Sequence, residues 1–175
     1  MNFNYIATSN IDLLKNKILK TKNWNQYEFR QKTYDVHKKT KTIPLIYDED
    51  LRHETPTYHV DYHKYKKSID MIKEILNKKL GEGRIIRAIL VNLPAKNKID
   101  EHIDSGYSLS NCSRIHIPIV TNDKVCFKVG KEKKNLKSGE MWEINNTNKI
   151  HSVENNSNQD RIHLIIDWIK NESKS

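Results

Sequence analysis

Four residues of this 175-residue chain have the types and order needed for oxidative metal chemistry. His102 and Asp104 stand two apart in Glu101-His102-Ile103-Asp104. His151 follows in Lys149-Ile150-His151-Ser152-Val153, and Arg161 comes ten residues after it. Two imidazoles and one carboxylate can hold a divalent iron on one face and leave the opposite coordination positions open, as in non-haem iron(II) oxygenases. In extended backbone, positions i and i+2 project to the same side, so His102 and Asp104 could converge on one ion. A His-x-Asp pair alone is common surface decoration, and His151 alone reads equally well as a solvated loop histidine. The weight lies in the ordered set.

Arg161 opens an alternating stretch. Arg161, His163 and Ile165 share one face, and Ile162, Leu164 and Ile166 share the other. A buried guanidinium needs an anionic partner. A dicarboxylate co-substrate would supply it through a bidentate pair that lysine reproduces poorly. The plainer alternative is a protein carboxylate such as Asp160 or Glu154. Arg114-Ile115-His116-Ile117-Pro118-Ile119 repeats the pattern, with Arg114 and His116 on one face. Two strands beginning Arg-Ile-His point to a polar pocket, with His116 facing it and His163 structural. Trp142 reads as a core or wall residue.

These side chains must be held by a scaffold, and the chain's patterning predicts an α+β fold that is mainly β. Ser9-Asn10 can cap a short helix carrying Ile11, Leu14 and Ile18. Residues 23–41 are polar and mixed. Ile43 to Tyr47 reads as a strand, and Asp48 to Tyr65 as an irregular connection. A second helix is expected from about Ser68, its candidate N-cap, to Leu80, with Gly81 and Gly83 ending it. Strands are expected over Arg84 to Leu93, Arg114 to Val120, Lys124 to Val129, Met141 to Asn145 and Arg161 to Ile169. Helices precede strands without βαβ alternation, which favours a double-sheet jelly roll. The length fits a single domain, 1–175, with a helical and irregular part over 1–83 packing on a β core over 84–169 and a frayed tail from Asn171.

Composition narrows the function classes. The chain carries 31 basic and 22 acidic residues, a formal net charge of +9. The lysines are scattered and accompany no nucleic-acid motif, which argues against nucleic acid as the partner. The two cysteines, Cys112 and Cys126, lack structural-zinc spacing and read as a reduced pair. The N-terminus has no signal-peptide core, and no apolar run approaches the roughly 20 residues of a membrane span, so a cytoplasmic protein is expected. Oligomeric state is not legible.

The residues match a family pattern. His102-Ile103-Asp104, Ser113 to Ile119, Gly139-Glu140-Met141-Trp142, His151 to Asn155 and Arg161 to Trp168 together resemble the aspartyl/asparaginyl β-hydroxylases, which are iron(II)- and 2-oxoglutarate-dependent dioxygenases. A fainter match lies at Val36-His37 and Thr40 to Ile43. The resemblance implies a double-stranded β-helix with iron held by His102, Asp104 and His151. It implies Arg161 on the distal carboxylate of 2-oxoglutarate, and Arg114 and His116 near the carboxylate beside the keto group. It also implies O2 as co-substrate, succinate and CO2 as products, and hydroxylation of an amino acid or peptidyl residue. Asp104 stands where the animal aspartyl hydroxylases lack a carboxylate ligand; in this the chain is more similar to bacterial proline hydroxylases. A serine that assists 2-oxoglutarate in the animal enzymes is replaced near Leu90. His37 and Arg52 are candidates for the pocket mouth. The competing reading is a non-catalytic β-sandwich module that binds a peptide or anionic ligand. A cupin-like metal isomerase, which needs no 2-oxoglutarate, leaves Arg161 without a role.

Overall fold

A computed structural model describes residues 1–24, 27–50 and 54–171; Arg52 and the end of the tail lie outside that description. Its strands are β1 (Phe3–Thr8), β2 (Lys41–Ile46), β3 (Gly83–Leu93), β4 (Asn97–His102), β5 (Ser113–Val120), β6 (Val125–Val129), β7 (Glu132–Lys134), β8 (Glu140–Ile144), β9 (His151–Asn155) and β10 (Arg161–Lys170). Its helices are α1 (Asp12–Leu19), α2 (Phe29–Thr33), α3 (Tyr62–Leu80) and α4 (Tyr107–Ser110), with a 3₁₀ turn at Asp35–His37. A six-stranded sheet, ordered β1-β8-β5-β10-β3-β2, faces a four-stranded sheet, ordered β4-β9-β6-β7. Every pairing is antiparallel, which makes the expected jelly-roll sandwich.

Strand alternation divides the large sheet into two functional faces. Ile115 and Ile117 of β5 and Ile162, Leu164 and Ile166 of β10 pack against Leu14 and Ile18 of α1 and Ile69, Ile72 and Leu76 of α3. The opposite face turns toward the small sheet, where Leu93, Ile99, Phe127 and Val153 form a second core. The polar residues of β5 and β10 fall on this inner face, so α1 and α3 are the platform under the site rather than part of it. Leu90 faces the helix side, while its neighbour Val91 faces inward.

Three expectations need correction. The second helix starts at Tyr62, six residues before the proposed cap, and Ser68 is a buried interior residue. Tyr65 explains the extension: it is fully buried in the helix-side core, and its hydroxyl meets Thr21 Oγ1 at 2.8 Å. Gly81, at φ 92°, ends the helix as expected, but Gly83 opens β3, where a Cβ would collide with the Ile169 carbonyl and the Trp168 ring. Finally, β1 was not anticipated; it pairs with β8, so a strand precedes the helices. The first helix carries Leu14 and Ile18 as expected, but it starts at Asp12 with Ile11 at the cap position, and Asn10 Oδ1 accepts from the Asp12 N–H at 2.9 Å just ahead of it.

Candidate active site

His102 and His151 face each other across β4 and β9 as register partners, with ring centroids 4.1 Å apart. Asp104 lies just beyond β4, so strand alternation is not what aims it. Its backbone N–H donates to the Asn146 carbonyl at 3.0 Å, and Asn146 Nδ2 donates back to Asp104 Oδ2 at 2.5 Å. This reciprocal clamp swings the carboxylate toward the histidines. Asp104 Oδ1 lies 3.5 Å from His102 Nε2 and 3.9 Å from His151 Nε2. One ligand atom from each of the three residues falls within a 4.8 Å cluster, which fits a single cation.

The protonation pattern suits a cation as well. His102 Nδ1 sits 2.8 Å from the Asp100 carbonyl, and His151 Nδ1 sits 3.4 Å from that of Lys149. A carbonyl only accepts, so each ring keeps a proton on Nδ1 and turns Nε2 toward Asp104, where the neutral ring has the lone pair that a cation would take. Burial, opposed by Asp104, pulls the His151 pKa down to about 4, which leaves that ring neutral at physiological pH. Burial would lower His102 too, but its contacts with Asp104 and the Asp100 carbonyl carry it above the ordinary 6.5. Burial would raise the Asp104 carboxyl; Arg114 and the two histidines hold it well below the usual range, so it is ionised.

Behind Asp104 lies a buried charge relay. Arg114 Nη1 donates to Asp104 Oδ2 at 2.5 Å, while its Nε and Nη2 donate to the two oxygens of Asp167, each at 2.8 Å. Arg87 Nη1 approaches Asp167 Oδ2 at 3.3 Å. Asp167 is fully buried, and the two guanidiniums outweigh its burial and hold its pKa below the ordinary 3.8. All three Arg114 nitrogens thus engage carboxylates of the protein itself, which makes Arg114 first of all the support of Asp104.

Arg161 is different. It is 1% exposed and has no carboxylate partner among the described residues. Its Nη2 donates to His163 Nδ1 at 2.8 Å, its Nε is unpartnered among the described residues, and its guanidinium stands 5.9 Å from the Phe127 ring centre. Burial alone lowers its pKa to about 9. The two protein carboxylates considered from sequence are used elsewhere: Asp160 accepts from Asn92 and Ala95, and Glu154 from Asn156. His163 has the structural role expected of it, orienting the guanidinium as a neutral acceptor. His116 faces the pocket, edge-on to Phe127 at 5.1 Å between centroids.

Arg161, His116 and the three cation ligands line one deep cavity of about 40 Å³, walled by Val91, Phe127, Val153 and Ile165. A second cavity of about 120 Å³ adjoins it and shares Arg30, His37, His102, Asp104 and Arg114. The expectation that His37 lines the mouth agrees with this placement. Sequence reasoning missed Arg30, Asn146 and Asp167. Asp167 was within reach, since it continues the inward face of Arg161, His163 and Ile165. Trp142 takes no part; it packs in the wall against Phe3 and Tyr5. Both cysteines are free thiols, as expected.

The sequence profile described as Aspartyl/Asparaginyl beta-hydroxylase matches residues 4–171. No curated protein matches the chain. Among solved structures, the chain is similar to an oxidoreductase of the 2OG-Fe(II) oxygenase family from Burkholderia pseudomallei, with 14% identity and TM-score 0.60 over 77% of this chain and 70% of that one. It is similar to a prolyl-4-hydroxylase from Pseudomonas putida, with 10% identity and TM-score 0.55 over 98% and 94%. It is also similar to ThoJ, a non-heme monooxygenase solved as a nickel complex, with 10% identity and TM-score 0.59 over 97% and 74%. At these identities the likeness is one of fold.

Proposed function

The chain belongs to the aspartyl/asparaginyl β-hydroxylase family, and from that premise we propose that it is an iron(II)- and 2-oxoglutarate-dependent dioxygenase that hydroxylates an amino acid or peptidyl residue. His102 Nε2, His151 Nε2 and Asp104 Oδ1 would hold the iron, and Arg161 would pair with the distal carboxylate of 2-oxoglutarate. The observation that carries this reading is a buried guanidinium without an anion, in the same cavity as a His-Asp-His cluster. Such a charge is costly when alone, and a dicarboxylate neutralises it.

When bound, iron(II) with 2-oxoglutarate and O2 supplies oxidative decarboxylation to succinate and CO2 together with hydroxylation of an unactivated carbon. The protein's own part is positional. Asn146 and Arg114 hold one oxygen of Asp104 and leave the other toward the histidines. Asp167 fixes Arg114, and His163 fixes Arg161. By the family resemblance His116 and Arg114, which line the same cavity, would face the carboxylate next to the keto group. Val91, Phe127, Val153 and Ile165 exclude water from the deep end. A non-catalytic module would leave both the converging ligand atoms and the unpaired Arg161 without explanation.

The test is turnover-coupled succinate release together with anaerobic spectroscopy. Iron(II) plus 2-oxoglutarate should give a weak visible charge-transfer band in the wild type. His102→Ala, Asp104→Ala and His151→Ala should each abolish both band and turnover. Iron-dependent turnover surviving in all three would refute the ligand assignment.

A further inference from the structure

Arg30 presents, at the mouth, the same anomaly that Arg161 presents in the depth. It sits in α2, is 8% exposed, and forms no ion pair with any described carboxylate. Its Nη1 donates to Thr42 Oγ1 at 3.3 Å and its Nη2 to His37 Nε2 at 2.8 Å. A guanidinium only donates, so His37 accepts on Nε2 and carries its proton on Nδ1, which has no partner among the described residues. The site therefore contains two Arg–His pairs: the buried Arg161–His163 beside His116, and the part-buried Arg30–His37 in the wall common to both cavities.

Charge supports a second anion. Arg30, Arg87, Arg114 and Arg161 are buried around the cavities, against the buried or nearly buried carboxylates Asp104 and Asp167. Iron(II) and doubly charged 2-oxoglutarate cancel one another, so loading the site leaves this cationic excess in place. Arg114 and Arg87 are engaged by Asp167, and Arg161 is assigned to 2-oxoglutarate. That leaves Arg30 as the guanidinium without an anion. It stands in the same wall as His102 and Asp104, within reach of a small molecule presented to the metal centre.

We infer that Arg30, with His37 beside it, is the substrate-carboxylate anchor, so that the residue hydroxylated belongs to a molecule presenting a carboxylate a few bonds from the reacting carbon. The inference rests on the dioxygenase reading. His37 is a positioning residue that orients the guanidinium through Nε2.

The test uses the whole protein loaded with Mn(II) and N-oxalylglycine, a non-reacting stand-in for 2-oxoglutarate, with loading measured first by calorimetry. Protein that takes up neither overturns the dioxygenase reading and this inference with it. The loaded protein is then titrated with L-proline, L-aspartate and L-asparagine, each as free acid and as α-carboxamide. A capped aspartyl residue, whose only carboxylate is on the side chain, completes the series. Binding should require a carboxylate, and losing it should weaken the best ligand by about tenfold or more. Arg30→Gln, whose amide can still donate to Thr42 and His37, should lose the same factor and become indifferent to the carboxamide substitution. Preference for the free acids assigns the α-carboxylate, and preference for the capped aspartyl residue assigns the side chain. Four results overturn the inference: carboxylate-free probes (the proline and asparagine carboxamides) binding as well as every carboxylate-bearing one, unchanged acid binding in Arg30→Gln, no probe bound to loaded protein, or a loss confined to N-oxalylglycine.

Discussion

Replacing Arg161 by methionine should make the ligand-free protein more stable and blind to 2-oxoglutarate. Burial moves the arginine's pKa from 12.5 to about 9 with no compensating charge. At about 1.4 kcal/mol per pH unit, holding that guanidinium charged costs roughly 5 kcal/mol, and at neutral pH the cost is present in full. Methionine fills much of the same volume without charge. The substitution leaves His163 Nδ1 without its donor, a penalty of about 1–3 kcal/mol. The balance favours the variant by about 2–4 kcal/mol, in line with other replacements of buried charge by apolar side chains. For a chain of this size that is on the order of 2–4 °C per kcal/mol in a thermal scan. The second half of the assay adds Mn(II) and 2-oxoglutarate. A hundredfold excess over Kd should stabilise the wild type by about 2.7 kcal/mol and leave the variant where Mn(II) alone put it. A variant less stable than wild type without ligand, or an equal shift from 2-oxoglutarate in both proteins, would refute the reasoning.

Asp167→Asn removes the anion that Arg114 and Arg87 share, and should cost about 3–5 kcal/mol in urea unfolding. Because the Asp167 carboxyl is held below its ordinary range, its contribution is full above the unfolded pKa near 4 and is lost only as pH falls through the lower folded value. The deficit should therefore be the same at pH 5 and pH 8, and a deficit that vanishes at pH 5 would contradict the assignment. Metal uptake should follow His102. Its pKa is raised, so a cation must displace its proton on the acid side, and apparent Mn(II) affinity should fall about tenfold per pH unit below that value. His151 stays neutral down to about pH 4 and adds no second proton in that window. An affinity that is flat from pH 8 to pH 5.5 would sink this account.

The sequence displayed the chemistry better than it displayed the scaffold. His102, Asp104, His151 and Arg161 stand out because few side chains bind cations or dicarboxylates, and the alternation of β10 could be read directly. The reason for convergence was not visible. Asp104 is aimed by a hydrogen-bonded clamp to Asn146, a residue whose type alone does not mark it out. Arg30 was hidden in a polar stretch whose five-residue helix has no hydrophobic period to announce it. Strands β1, β4, β7 and β9 are short and hold through pairing with distant partners, which local propensity does not report. The early start of α3 was legible in principle, since Tyr62, Tyr65, Ile69, Ile72 and Leu76 keep a three-to-four spacing.

His102 and His151 both hang from the four-stranded layer, whereas Arg161 projects from the six-stranded one. A cation seated on the histidines fastens chiefly to the first layer, and a free dicarboxylate on Arg161 to the second. A molecule that does both becomes a strut across the sandwich. Slow amide exchange along the seam between the layers should then answer to the two ligands jointly and only weakly to either one. In that sense the reaction's own reagents act as the bolt that locks the two halves of the barrel.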